Sequence, residues 1–131
     1  MNKVISRVGI TPVGSSKYRV NRLRFHLLAY AVARNAKLNG NDAEFIIRCD
    51  DTDTSNTNRS FLDSYLEVLE SLDVRADIAP YDKDHNGNSM FQSERGDIYR
   101  EFTNRLLISN LAYNDSSGAV FFRRESILRT I

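Results

Sequence analysis

Phe45, Ile46 and Ile47 stand side by side, and this run constrains the fold more than any other feature. Three contiguous apolar residues cannot all face one side of a strand, because side chains alternate. A strand over Ala43 to Cys49 is therefore expected to be buried on both faces, as in a parallel sheet. A second apolar segment, Lys3 to Ile10, reads as another strand, ended by Thr11-Pro12-Val13-Gly14. Between them a helical pattern runs from about Tyr18 to Leu38, with Val20, Leu23, Leu27, Ala31 and Leu38 as its apolar stripe and Leu28 and Val32 widening it. Gly40 is placed to cap it in the left-handed region. Strand, long helix, strand is a βαβ unit, because parallel strands need a crossover. The expected class is α/β, three-layered, around a Rossmann-like parallel sheet.

The rest of the chain continues in helices. A second runs from about Asn58 to Leu72, with Thr57 or Asn58 as cap. A third runs from about Ser93 to Asn110, and a strand from Ala119 to Arg124 follows a Ser116-Ser117-Gly118 turn. With 131 residues, a single domain spanning 1–131 is expected. Six glycines and two prolines exclude collagen and low-complexity classes. Cys49 is the only cysteine, which excludes an intramolecular disulfide and a cysteine-rich zinc ribbon. The lone thiol, the lack of a leader pattern and the lack of a membrane-length apolar run predict a reducing cytoplasm and no membrane partner. A net charge of +1 means that any nucleic-acid binding must come from a local patch.

Such a patch exists. Lys17, Arg19, Arg22 and Arg24 crowd the start of the first helix, the positive end of its dipole. They form either a phosphate or RNA site or a solvated basic face. Asp50-Asp51-Thr52-Asp53 leaves the second strand at the end where parallel sheets bind ligands. These carboxylates suit a metal, a ligand ammonium, or Asx turns leading into a helix. Asp82, Asp84 and Asn86, with Gly87 sixth, fit the opening of a calcium loop; the twelfth position is Ser93 rather than Glu, so a plain polar insertion is the competing reading. His26, beside the apolar stripe, reads as packing rather than catalysis. No G-x-G-x-x-G and no P-loop occurs.

Three motifs, in order, resemble glutamyl-tRNA synthetases, class I aminoacyl-tRNA synthetases. Arg7-Val8-Gly9-Ile10-Thr11-Pro12-Val13-Gly14 is similar to their R-F-A-P-S-P-T-G. Phe45-Ile46-Ile47-Arg48-Cys49-Asp50-Asp51-Thr52-Asp53 is similar to F-I-L-R-I-E-D-T-D. Phe91-Gln92-Ser93-Glu94-Arg95, then Asp97 and Tyr99, is similar to Y-Q-S-E-R-x-D-x-Y. The resemblance covers about residues 3 to 115 and implies the first half of the synthetase catalytic domain. It implies an amino-acid site in which Arg7 pairs with the glutamate side-chain carboxylate, Thr11 stands near the amino acid, and Asp50 receives the ammonium.

The resemblance also implies ATP, and tRNA as a partner; separately from it, Mg2+ or Ca2+ is the candidate cation. Yet the H-I-G-H signature falls on Lys17-Tyr18-Arg19-Val20, changed at every position, and no K-M-S-K-S occurs. Both sets of donors that meet the developing charge are thus missing. The reading that follows is a degenerate relative, a pseudoenzyme that binds glutamate, a glutamyl-adenylate-like ligand or tRNA without charging tRNA alone. One alternative is an active ligase in which Lys17 and Arg19 take over phosphate stabilisation and a partner protein supplies the missing half. The other is a structural remnant that forms a homodimer through an open sheet edge.

Overall fold

The structure is a computed structural model that describes residues 3–13 and 20–123, without the side chains of 20–22. Its contacts cluster in two compact units, residues 1–94 and 95–131.

In the first unit, β1 (Val4–Ile10) and β2 (Ala43–Cys49) pair in parallel, joined by the 19-residue helix α1 (Val20–Leu38). The register runs from Val4 opposite Ala43 to Ile10 opposite Cys49. Both faces of β2 are covered, as its apolar run requires. Phe45, Ile47 and Cys49 join Ile10, Ala33, Leu62, Tyr65 and Leu69 in the main core. Ile46 packs on the opposite face with Ile78 and Met90. The second edge of β2 is also used: Ile47 N–H donates to the Ile78 carbonyl at 2.9 Å and Cys49 N–H to the Met90 carbonyl at 3.0 Å. The α/β class with a parallel sheet is what the sequence predicts.

The buried face of α1 differs from the expected stripe. His26, Ala33 and Ala36 are buried, with Leu23, Ala29 and Tyr30 partly so, while Leu27, Leu28, Val32 and Leu38 are exposed. Close approach to the two-stranded sheet selects the small residues, and the bulkier apolar ones are left outside. The His26 ring lies against Tyr65, with Nδ1 3.2 Å from the tyrosine hydroxyl, so this histidine is a packed core residue. After α1 the chain turns at Gly40 with φ +76°, in the left-handed region that a glycine enters without strain.

Helix α2 (Arg59–Ser71) begins where its cap predicts: Asn58 Oδ1 accepts the Ser60 N–H at 2.9 Å. Its Leu62, Tyr65 and Leu69 supply the core face. A 3-10 turn, Gln92–Arg95, then carries the chain into the second unit. There α3 (Gly96–Ile108) starts three residues later and ends two residues earlier than expected, because Ser93 is held in the 3-10 turn and Asn110 adopts φ +58°. The final strand is shorter than the sequence suggested and has an antiparallel partner that the sequence did not. Strand β3 (Ala112–Asn114) pairs with β4 (Val120–Phe122), and Tyr113 stacks on Phe121 with ring centroids 5.9 Å apart. Asp115 closes the hairpin by accepting the N–H groups of Ser117 and Ala119.

Candidate functional site

The carboxyl ends of β1 and β2 lie side by side, as the parallel register dictates. The ladder continues one step past them, with Asp50 N–H donating to the Ile10 carbonyl at 2.8 Å. The loop before α2 is stitched to the same end: Asn58 N–H donates to the Pro12 carbonyl at 3.0 Å, and Val13 bridges to Thr57. Thr11, Pro12, Asp50 and Asp51 are thereby gathered at one end of the sheet.

Alternation decides which side chains share a face. Val8 and Ile10 turn toward the core beneath α1 and α2. Arg7 and Gly9 therefore belong to the opposite face, beside Ile46 and Arg48 of β2. Arg7 and Thr11 are exposed and Asp50 is half-buried. Arg48 holds Asp50 through two contacts, Nε to Oδ1 at 2.5 Å and Nη2 to Oδ2 at 3.2 Å. The carboxylate lies across Gly9: a Cβ built there would stand 2.8 Å from Asp50 Cγ and closer still to Oδ2. Sequence reasoning missed Arg48 and Gly9. The available signal was spacing, since residues 48 and 50 flank one position of a strand and share a face.

The other carboxylates of the cluster serve the loop. Asp51 is 7% exposed and accepts both the Ser93 N–H at 2.9 Å and the Ser93 hydroxyl at 2.6 Å. It ties the second motif to the third. Asp53 accepts from the Asn56 amide and the Ser55 hydroxyl, which in that order hold its carboxyl below the usual range. Glu94 accepts from the Ser89 hydroxyl and from Arg59, and these two contacts, in that order, lower its pKa. Arg59 also stacks over Phe91, 4.1 Å from the ring centroid. Together Pro12, Cys49, Asp51, Thr57 and Arg59 line a cleft of about 240 Å³. Burial first, then the charges of Asp51 and Asp50, push the Cys49 thiol up to about 12. This is an unreactive thiol.

The remaining candidates stand apart. Lys17 and Arg19, and the side chain of Arg22, lie outside the described residues; Arg24 is exposed, 4.9 Å from the Phe25 ring centroid. In the polar loop Asp82 accepts the Ala79 N–H, and Asp84 accepts the N–H groups of Asn86 and Asn88. Asp82 and Asp84 are thus engaged by backbone N–H groups of the loop itself. Among the described residues no group of three or more His, Cys, Asp or Glu side chains is placed to hold a metal ion. Positions 17–19 of the altered nucleotide signature lie outside the described residues, so no step is derived through ATP from the described residues. Among them, no helix is long and apolar enough to cross a membrane.

Comparison with known proteins agrees with this architecture. The profile of the family described as tRNA synthetases class I (E and Q), catalytic domain, matches residues 7–123. The glutamate–tRNA ligase of Methylacidiphilum infernorum is 35% identical over 126 residues, covering 94% of this chain and 27% of the relative. That of Aquifex aeolicus is 31% identical over 113 residues, 86% of this chain and 20% of its own length. Among solved structures, the glutamate–tRNA synthetase of Elizabethkingia anophelis superposes with a TM-score of 0.70 at 28% identity, over 98% of this chain and 23% of that one. The glutamate–tRNA ligase of Elizabethkingia meningosepticum, solved in complex with its amino acid, gives 0.69 at 30% identity, over 98% and 23%. The chain thus spans about a quarter of the length of the relatives it matches most fully. Its parallel βαβ unit, its three motifs and these matches agree that the chain belongs to the class I tRNA synthetase family of the glutamate and glutamine enzymes, within their catalytic domain.

Proposed function

We propose that this chain binds glutamate, or a glutamyl-adenylate-like ligand, at Arg7, Thr11 and Asp50, and does not charge tRNA by itself. One observation carries the reading: the register of β1 and β2 sets the ends that lead into Thr11 and Asp50 side by side, with Arg7 exposed within β1, opposite Ile46. Arg7 offers a planar fork of donors to the side-chain carboxylate of the ligand. Thr11 offers a hydroxyl to the amino-acid backbone. Asp50 accepts the ammonium. The altered signature at Lys17, Tyr18, Arg19 and Val20 supports binding without activation, because the donors that stabilise the transition state are replaced there. The Lys17, Arg19, Arg22 and Arg24 cluster supports tRNA phosphate as a further ligand.

Calorimetry with glutamate, a non-hydrolysable glutamyl-adenylate analogue and ATP, each alone, tests this. Expected are heats from the first two that fall at least about tenfold in affinity in Arg7→Ala, as for a lost charged hydrogen-bond pair. No heat from either ligand overturns the reading.

A second reading draws on the sheet edge. Among the described residues no strand pairs with the outer edge of β1, and Phe25, Leu28 and Val32 are exposed on α1. An open edge beside apolar surface supports assembly with a second copy or a partner protein. Sedimentation at rising concentration tests it, and a monomer throughout rules out the homodimer.

A further inference from the structure

Asp50 is already paired before any ligand arrives. It is turned back across β1, held at both oxygens by Arg48, over the one sheet position that has no side chain. The three atoms nearest a Cβ at Gly9 all belong to the Asp50 carboxylate. Gly9 and Arg48 are register partners, which puts the guanidinium and the vacant side-chain position side by side. An alanine at position 9 and the present Asp50 conformation are mutually exclusive. The family patterns given above have A and E at these two positions. Here the smaller backbone site and the shorter acid occur together.

We propose that Gly9 and Asp50 form one coupled specificity pair, in which Gly9 sets where the Asp50 carboxylate stands and so where a ligand's ammonium is received. This deepens the amino-acid reading above and rests on it. Gly9 is a positioning residue: it acts only through Asp50. A ligand ammonium enters by displacing the Arg48 guanidinium from one carboxylate oxygen. A ligand with the same two carboxylates and no ammonium gains nothing from that exchange. The pair therefore governs the choice between glutamate and glutarate, not the affinity for dicarboxylates as such.

Two measurements on Gly9→Ala, Asp50→Glu, Asp50→Ala and the Gly9→Ala combinations test the pair. In titrations, Gly9→Ala is expected to weaken glutamate about tenfold and leave glutarate unchanged, the size of one charged hydrogen bond. Gly9→Ala with Asp50→Glu is expected to return glutamate to within about threefold of the starting protein, a non-additive result of the kind contacting residues give. In ligand-free melting, Gly9→Ala is expected to lower Tm by about 4 °C and to have no effect in the Asp50→Ala background. An equal Tm loss in both backgrounds overturns the pairing. Equal weakening of glutamate and glutarate overturns its role in ammonium recognition. A starting protein that takes up neither acid overturns the functional reading instead, while the melting cycle still decides whether the pair exists.

Discussion

Asp51 shows how much one side chain holds together. It is buried, it accepts two hydrogen bonds from Ser93, and it joins segments forty-two positions apart in the chain. Replacing it with alanine leaves the Ser93 N–H without that acceptor, at a cost of about 2 kcal/mol. Urea unfolding of Asp51→Ala should show this loss, and Ser93→Ala, which keeps the backbone donor, a smaller one. Cys49 gives a second residue-level test. Fully buried and with its thiol pushed up to about 12, it should resist iodoacetamide at pH 8 in the native state and react at once in denaturant. Modification in the native state at the rate of a free thiol would show that the core around β2 opens. The legibility of the site divides at this scale. Arg7, Thr11 and Asp50 were named as candidates from their motifs. Arg48 and Gly9 lie in the same motifs, but their contact with Asp50 was not legible, because no pattern of residue types encodes a rotamer.

At the scale of elements, β2 and α1 make opposite lessons. The contiguous apolar run of β2 was legible because only burial on both faces satisfies it. The face of α1 was not. Its apolar residues are spread around most of its circumference, so periodicity chose a stripe through Leu27 and Ala31, while packing chose the small residues Ala33 and Ala36. The difference is measurable. Leu28→Lys should change stability by no more than about 0.5 kcal/mol, because the side chain is 65% exposed. Ala33→Leu, which inserts bulk into a position 1% exposed, should cost about 1–3 kcal/mol. Thermal unfolding of the two variants would distinguish these faces, and the reverse ranking would restore the stripe read from periodicity. The β3–β4 hairpin was half legible: Ser116-Ser117-Gly118 marked the turn, but three-residue strands are too short for alternation to declare them.

Across the whole molecule, the carboxylates with resolved shifts are depressed. Lys3 and then His85 hydrogen-bond Glu44; Ser89 and then Arg59 hydrogen-bond Glu94; Asn56 and Ser55 hydrogen-bond Asp53. For Asp77, burial pushes the other way and is outweighed by Lys37 and the Phe45 N–H. Each of these groups holds its proton less tightly when folded than when unfolded. Their contribution is fully present above the unfolded value, about 4 for Asp and Glu, and disappears as pH falls through the lower folded values. Stability should therefore be level from about pH 6 to 8 and decline below about pH 4.5, with a shallower decline in Glu94→Gln. Urea midpoints taken across this range would check it; a loss of stability on going up from pH 5 to 7 would contradict the assignment.

The parallel pairing of β1 and β2 has a consequence for the order of events when the chain is made. Val4 leaves the ribosome long before Ala43, its register partner, and no nearer strand is offered to it among the described residues. Strand β1 must therefore wait for β2, while α1 coils beside it from local contacts alone. Closure of this long crossover, rather than growth of any helix, is the step expected to set the folding time.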